Sequence, residues 1–443
     1  MERTYINEVQ KEIGSTVKVQ GFIENLRNSK YMAFIVLKDI TGKLQITVEK
    51  EDHPELVDTI DKLTPDSVIT VTGKVMENDY VKMGGIEMIP EAIEVESIAD
   101  ALPIARKAIA ATKKKKAVER SSIDQRIDYR WVDLRTDENQ LMFKAQSCMV
   151  NAMRKFLLDQ NFIEIHTPKL IAAASESGSE VFKVDYFDRN AYLAQSPQFY
   201  KQMMVGVFDR VFETGPVFRA EKHNTKRHLN EYTSLDFEMG YIDSFEEIMA
   251  METGFLQYAM NLLKTEYAKE VQILKLEIPD VSKIPAVRFD VAKELVSQKY
   301  NRKIRNPFDL EPEEEALIGQ YFKEEYGSDF VFVTHYPSKK RPFYAMDDPE
   351  DARFTLSFDL LFKGLEITTG GQRIHDYNML VQKIEDRGMT QEGMEQYLDT
   401  FKHGMPPHGG LGIGLERLTM QLIGEENVRE TCLFPRDMNR LEP

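Results

Sequence analysis

Five short segments of strand character follow one another within the first hundred residues, and no other feature constrains the fold as tightly. Residues 16–23 (TVKVQGFI) alternate apolar and polar side chains, as a strand with one buried face must. Residues 33–37 (AFIVL), 44–48 (LQITV), 68–75 (VITVTGKV) and 86–95 continue the series. The turn signal Asp39-Ile40-Thr41-Gly42 separates the second from the third. Five such strands in so short a span predict a small closed or partly closed β-barrel. No self-similarity at a solenoid period is present.

After residue 98 the pattern changes. Between Ala101 and Thr136 there are ten Lys and Arg against four Asp and Glu, in a chain whose net charge is −16. The run at 113–116 (KKKK) lies inside this stretch. A basic segment in an acidic protein can hold a polyanion or can be a solvated linker, and charge alone favours neither. Beyond it, apolar positions at Leu141, Phe143, Met149, Met153, Phe156 and Leu157 suit a long helix over 139–160. A strand at 162–165 stops at Pro168. Further strands are expected at 211–214, 235–239, 330–334, 356–361 and 364–369, and the segment 411–423 begins with glycines and becomes helical. The chain of 443 residues therefore divides into a barrel (1–98), a basic hinge (99–136) and a mixed α+β domain (137–443). No run of 18 apolar residues is present, so no membrane span is expected. The first residues lack the apolar core of a signal peptide. The two cysteines, Cys148 and Cys432, have no metal-like spacing, which agrees with a reducing cytoplasm.

Three segments carry chemistry. The first, Phe218 through Glu238 (FRAEKHNTKRHLNEYTSLDFE), reads as strand, polar basic loop and strand. Arg219 and Arg227 can converge on one polyphosphate, because the guanidinium fork matches phosphate oxygens. An ordinary charged surface hairpin would look the same. The second is Gly410-Leu411-Gly412-Ile413-Gly414-Leu415-Glu416-Arg417, whose glycines let a backbone approach a ligand. It lacks the lysine of a Walker A loop. The third, 358–373, puts Asp359 and Glu366 on adjacent strands; such hard oxygen ligands suit Mg²⁺, though two surface acids are the commoner case. His223, His228, His375 and His408 lack the spacing of a zinc site.

Taken together these motifs resemble those of class II aminoacyl-tRNA synthetases. The strand–loop–strand with Arg219 looks like motif 2, Gly-Leu-Glu-Arg looks like motif 3, and the helix, strand and Pro168 look like the motif 1 dimer element. The phrases SPQFYKQMM, FRAEKHNTKRHLNEYTSLDFEM, GGQRIHD and HGMPPHGGLGIGLERL resemble the compact archaeal type of the aspartyl subgroup, and the resemblance spans essentially the whole chain. It implies an N-terminal OB-fold that reads an anticodon and an α+β catalytic domain. It implies ATP-dependent activation of L-aspartate, transfer to tRNA(Asp), Mg²⁺ as cofactor, and a cytoplasmic homodimer.

By the same resemblance ATP would meet Arg219, Ala220, Glu221, Arg227, His228, Leu229, Tyr232, Glu366, Gly414, Leu415, Glu416 and Arg417. Arg219 would hold the α-phosphate and Arg227 the γ-phosphate; Glu221 would read the adenine amino group between Tyr232 and Arg417. Arg219 and Arg417 would be the catalytic pair. Glu366, Thr369 and Asp359 would hold the metal, with threonine standing at 369 where the family commonly has serine. Aspartate would meet Glu176, Gln195, Ser196, Gln198, Lys201, Arg219, Asp236, Thr369 and Arg373. Lys201 and Arg373 would bind its side-chain carboxylate and disfavour asparagine. Phe34 would stack on the central anticodon base and Gln45 would read its edge, unless Phe34 is simply barrel core. His223 and His228 would be loop contacts to ATP or the tRNA end, and His375 and His408 structural. The stretch 21–25 (GFIEN) lacks the tryptophans the family often carries, which leaves open whether tRNA(Asn) is also charged. Two rivals are an asparaginyl enzyme and a non-catalytic RNA-binding paralogue.

Overall fold

A computed structural model describes residues 1–108, 117–173, 180–222 and 225–442. Glu176, His223 and the lysine run at 113–116 lie outside the described residues. The described chain forms two compact units, Met1–Ser121 and Ser122–Pro443.

The first unit is a closed five-stranded barrel built from β1 (Thr16–Asn28), β2 (Met32–Lys38), β3 (Lys43–Glu49), β4 (Val68–Glu77) and β5 (Ile86–Ser97), joined in the order β1-β2-β3-β5-β4. The alternation does what the sequence predicts: Ala33, Ile35 and Leu37 are fully buried, as are Ile46 and Val48 from β3 and Val71 from β4. Their neighbours in sequence face out.

The second unit is built on a sheet of eight strands: β6 (Ile163–Glu164), β10 (Arg210–Phe218), β11 (Glu231–Gly240), β12 (Ala286–Arg288), β13 (Phe330–Thr334), β14 (Ser357–Phe362), β15 (Leu365–Arg373) and β16 (His408–Gly414). Their spatial order is β12-β13-β14-β15-β16-β11-β10-β6, and all but the two edge pairings are antiparallel. A separate small sheet holds β7 (Leu170–Ile171), β8 (Lys183–Tyr186) and β9 (Arg189–Leu193). The long helix is Asp137–Asp159, capped by the Thr136 hydroxyl, which accepts from the Asn139 amide.

One face of the eight-stranded sheet is apolar. Phe237, Leu360, Leu411 and Ile413 from it pack with Phe255, Leu256 and Ala259 of the helix Glu246–Glu266 and with Met149 and Met153 of the long helix. The opposite face carries Ser234, Asp236 and Glu238 on β11, which lie opposite Gly414, Gly412 and Gly410 on β16. Gly412 and Gly410 lie in turn opposite Thr369 and Gly371 on β15. The glycine segment, expected only to lead into a helix, is thus a strand of its own, with the helix following at Leu415–Ile423. Its alternate glycines leave that face of the sheet bare. A Cβ at Gly410 would sit 2.2 Å from Glu238 Oε2, and one at Gly412 would sit 3.0 Å from Asp236 Oδ1.

A bulge sets the phase of β15. Thr368 lies opposite Leu360 but Glu366 lies opposite Leu361, so Ile367 is an extra residue. Residues three apart on a regular strand face opposite sides. Here Glu366 and Thr369 face the same side.

Candidate active site

The bare face of the sheet floors a cavity, and most of the residues singled out in the sequence line it. They are Gln195, Ser196, Gln198, Lys201, Arg219, Glu221, Arg227, His228, Leu229, Tyr232, Asp236, Glu366, Thr369, Arg373, Gly414, Glu416 and Arg417. Ala220, Leu415 and Asp359 are not in the lining. Leu415 is buried in the apolar core instead. The backbone amide of Ala220 donates to the carbonyl of Glu180. Ser234, Arg341 and Tyr344 line the cavity without having been anticipated.

At one end two cations are buried with two anions. Lys201 comes from the helix Gln198–Phe208 and is 2% exposed. Its Nζ donates to Asp236 Oδ1 at 3.0 Å and to the carbonyl of Leu411 at 2.9 Å, and lies 3.2 Å from Glu238 Oε2. Arg373 Nε donates to Glu238 Oε1 at 2.8 Å, and its Nη2 donates to the carbonyl of Gly410 at 2.9 Å. Burial alone would raise the pKa of Glu238, but Arg373 and Lys201 outweigh it and hold the group below the ordinary range. Ser234 donates to Asp236 from the same strand. Glu238 escaped the sequence reading although it lies two residues after Asp236, the spacing that puts both on one face of a strand. Nearby, Gln198 Nε2 is buried with no hydrogen-bond partner among the described residues, a donor left over for something in the cavity.

At the other end the cationic side chains belong to Arg219, Arg227 and Arg417. Arg219, 41% exposed, approaches Glu221 at 3.7 Å. Arg417 Nε donates to the carbonyl of Arg227 and its Nη1 to the carbonyl of Glu366, each at 3.1 Å. Arg227 pairs with Glu315, which lies on the helix Pro312–Tyr326. Burial raises the Glu315 carboxyl to about 7 against the pull of Arg227. Tyr232 is raised by burial too. Glu416 accepts from the amide of Thr233 at 3.0 and 3.1 Å, so its carboxylate braces β11. Burial raises it to about 7.

Between the two ends stand Glu366, Thr369 and Asp359. The Thr369 hydroxyl is 2.8 Å from Asp359 Oδ1 and 3.1 Å from Glu366 Oε1. Arg341 Nη2 donates to Asp359 Oδ1 at 2.7 Å, and its guanidinium stacks 3.9 Å from the Tyr336 ring centre. Burial raises Asp359, with Glu366 adding to it. Crowding by the protein would raise Glu366 as well, but Arg417, Arg341 and Arg219 outweigh it and keep it anionic. The donor set is all oxygen, with one carboxylate and one hydroxyl opening into the cavity. That fits Mg²⁺, which is held by one or two carboxylates together with substrate phosphates.

The histidines divide. His228 lines the cavity, with Nδ1 2.6 Å from the Thr225 hydroxyl. His408 is fully buried; burial lowers it to about 4, so it is neutral. Its Nδ1 donates to the carbonyl of Pro406 and its Nε2 accepts from Gln202.

On the barrel, Phe34 is half-buried and alternates with the fully buried Ala33 and Ile35, so its ring faces out of the barrel core. Thr47 lies opposite it on β3 and Arg27 on β1, whose guanidinium stands 6.0 Å from its ring centre. On the same face Gln45 Nε2 donates to Thr47 Oγ1 at 3.1 Å and to Glu87 Oε2 at 3.4 Å.

Known proteins are similar across the whole length. Residues 122–438 match the family described as tRNA synthetases class II (D, K and N), and residues 17–96 match the OB-fold nucleic acid binding domain. The aspartate–tRNA(Asp/Asn) ligase of Aeropyrum pernix is 41% identical, over 97% of this chain and 96% of that protein. The aspartate–tRNA(Asp) ligase of Pyrococcus abyssi is 41% identical over 99% of each. Among solved structures, asparaginyl-tRNA synthetase from Pyrococcus horikoshii, complexed with asparaginyl-adenylate, superposes with a TM-score of 0.90 at 29% identity over all of both chains. With an OB-fold ahead of a catalytic sheet whose bare face holds clustered arginines, this chain belongs to the class II tRNA synthetases of the D, K and N group.

Proposed function

We propose that the chain is an aspartate–tRNA ligase that activates L-aspartate with ATP and transfers it to the 3′ end of tRNA(Asp). The observation that carries the amino-acid choice is the buried Lys201–Arg373 pair, braced by Asp236 and Glu238 at one end of the cavity. Aspartate brings a second carboxylate to those cations. Asparagine brings a neutral amide, and losing a charge-assisted hydrogen bond in a buried site costs roughly 1.5–3 kcal/mol. The residues 21–25, which lack the tryptophans common in the family, leave the charging of tRNA(Asn) open.

In this reading Arg219 holds the α-phosphate and Arg227 the γ-phosphate, while Tyr232, Arg417 and Glu221 hold the adenine. The aspartate carboxylate attacks the α-phosphorus and pyrophosphate leaves. Catalysis is then positioning and charge neutralisation without a protein base. Glu366 and Thr369 would hold Mg²⁺, with Asp359 behind them; the ion would neutralise phosphate oxygens. Asp236, Gln198, Gln195 and Ser196 surround the amino group of the substrate, and the resemblance gives Glu176 the same role. Phe34 and Gln45 meet the central anticodon base. Two copies pair through the helix Asp137–Asp159 and the strand after it, and the enzyme works in the cytoplasm. Among the described residues no helix is long and apolar enough to cross a membrane.

ATP–pyrophosphate exchange with aspartate, asparagine and lysine tests the amino acid. Exchange driven by asparagine and not by aspartate would replace this reading with the asparaginyl one. Charging of separate tRNA(Asp) and tRNA(Asn) transcripts tests the tRNA range. Light scattering that gives a monomer at micromolar concentration would remove the dimer.

A further inference from the structure

We infer that Glu315 is a positioning residue for ATP, holding Arg227 over the cavity in the orientation that receives a phosphate. The inference rests on the reading of Arg227 as a phosphate ligand.

Arg227 sits on the loop between β10 and β11, and its side chain is 22% exposed. A long side chain on a loop loses rotamer freedom when a ligand immobilises it, which lowers affinity. Here one end of its guanidinium is already engaged: Nη2 donates to Glu315 Oε2. Nε is buried and has no hydrogen-bond partner among the described residues. Five N–H donors in a rigid fork allow the group to keep its carboxylate while presenting other donors to phosphate oxygens.

Glu315 is itself held in place. It lies in the first turn of the helix Pro312–Tyr326, where a carboxylate is favoured by the helix dipole. Its neighbour Glu314 is spent on Lys293 at 2.6 Å and on the Glu311 amide at 2.8 Å, whereas Glu315 turns to the cavity side. Gly319, one turn on, meets Gly364 at the β14–β15 turn so closely that a Cβ would lie 2.4 Å from the Gly364 nitrogen. The same Glu315 oxygen is 3.4 Å from the amide of Glu366. Helix, strand and loop arginine are thereby tied at one point, and the carbonyl of Arg227 is tied to Arg417 as well. Nothing else in the loop gives Arg227 a rigid partner of opposite charge among the described residues.

The test is a double-mutant cycle on the full-length enzyme, read by equilibrium binding of Mg·ATP without amino acid and by aspartate-dependent exchange. Glu315→Ala should weaken ATP binding about tenfold and Glu315→Gln, which keeps an acceptor, about threefold. KM for ATP should follow, with kcat at saturating ATP within about twofold. In an Arg227→Ala background Glu315→Gln should change binding less than about 1.5-fold, because its route through Arg227 is then gone. Should the alanine variant fail to fold, the glutamine variant carries the cycle alone. Unchanged or tighter ATP binding, or an equal loss with and without Arg227, overturns the inference. Failure of the function reading looks different: the parent would bind ATP and show the same coupling but give no exchange with aspartate.

Discussion

The barrel patch and the catalytic cavity are both polar, yet they are built on opposite plans. Around Phe34 and Gln45 exposure runs from the buried Thr47 to the exposed Arg27, and a few hydrogen bonds join the groups along one outward face. In the cavity Lys201, Arg373, Asp236 and Glu238 are nearly solvent-free and already neutralise one another. A patch of the first kind can lose a side chain and stay folded, because water replaces what is lost. A site of the second kind ties binding to stability, because each ion removed leaves its partner buried and unpaired.

That contrast orders the expected effects. Lys201→Ala comes first: it should destroy aspartate-dependent exchange and also lower unfolding stability by about 3–5 kcal/mol in urea titrations, since Asp236 and Glu238 lose their shared cation. A variant that folds normally and still activates aspartate would break the contrast outright. Arg219→Ala comes next. Its side chain is 41% exposed, so stability should hold while exchange falls on the order of a hundred- to a thousandfold, with kcat hit harder than KM for ATP.

Phe34→Ala and Gln45→Ala should leave exchange untouched and reduce tRNA charging about tenfold, as a stacked base is worth roughly 1–3 kcal/mol. Equal loss of exchange and charging, checked against circular dichroism, would make the patch as structural as the cavity. Smallest in activity is Glu252→Gln, on the core side of the sheet. Glu252 is fully buried, accepts from the Thr368 hydroxyl at 2.5 Å, and burial raises it from 4.5 to about 8. The folded protein keeps a proton there that the unfolded chain releases above 4.5, so this contribution to stability is complete below 4.5 and fades as pH rises through 8. Glutamine cannot ionise. Melting curves at pH 5, 6.5 and 8 should show the variant gaining on the parent as pH rises; parallel curves would mean that Glu252 is charged in the fold.

Much of this was legible in the residues. The barrel strands announce themselves through period-two Val and Ile, and the long helix, expected over 139–160, runs Asp137–Asp159. The cavity was legible wherever motif and strand coincided, as at Asp236 and Arg373. What stayed hidden came from tertiary convergence. Arg341 reaches Asp359 from an irregular segment, and Glu315 reaches Arg227 across 88 positions of sequence. β16 was hidden for another reason: glycine has little strand propensity, and only its neighbours β11 and β15 make its bare side useful.

The bulge at Ile367 has a consequence for chain length. Where a regular strand loses one residue, everything beyond turns over to the opposite face. Loss of Ile367 is different: Glu366 would then stand two residues before Thr369, and both would still look into the cavity on an unbulged strand. Loss of Gly370, three positions on, would swing Arg373 into the apolar layer. β15 therefore holds one residue to spare, at one place. Two shortened proteins that differ only in where the residue is missing should separate cleanly in an exchange assay, the first impaired and the second dead.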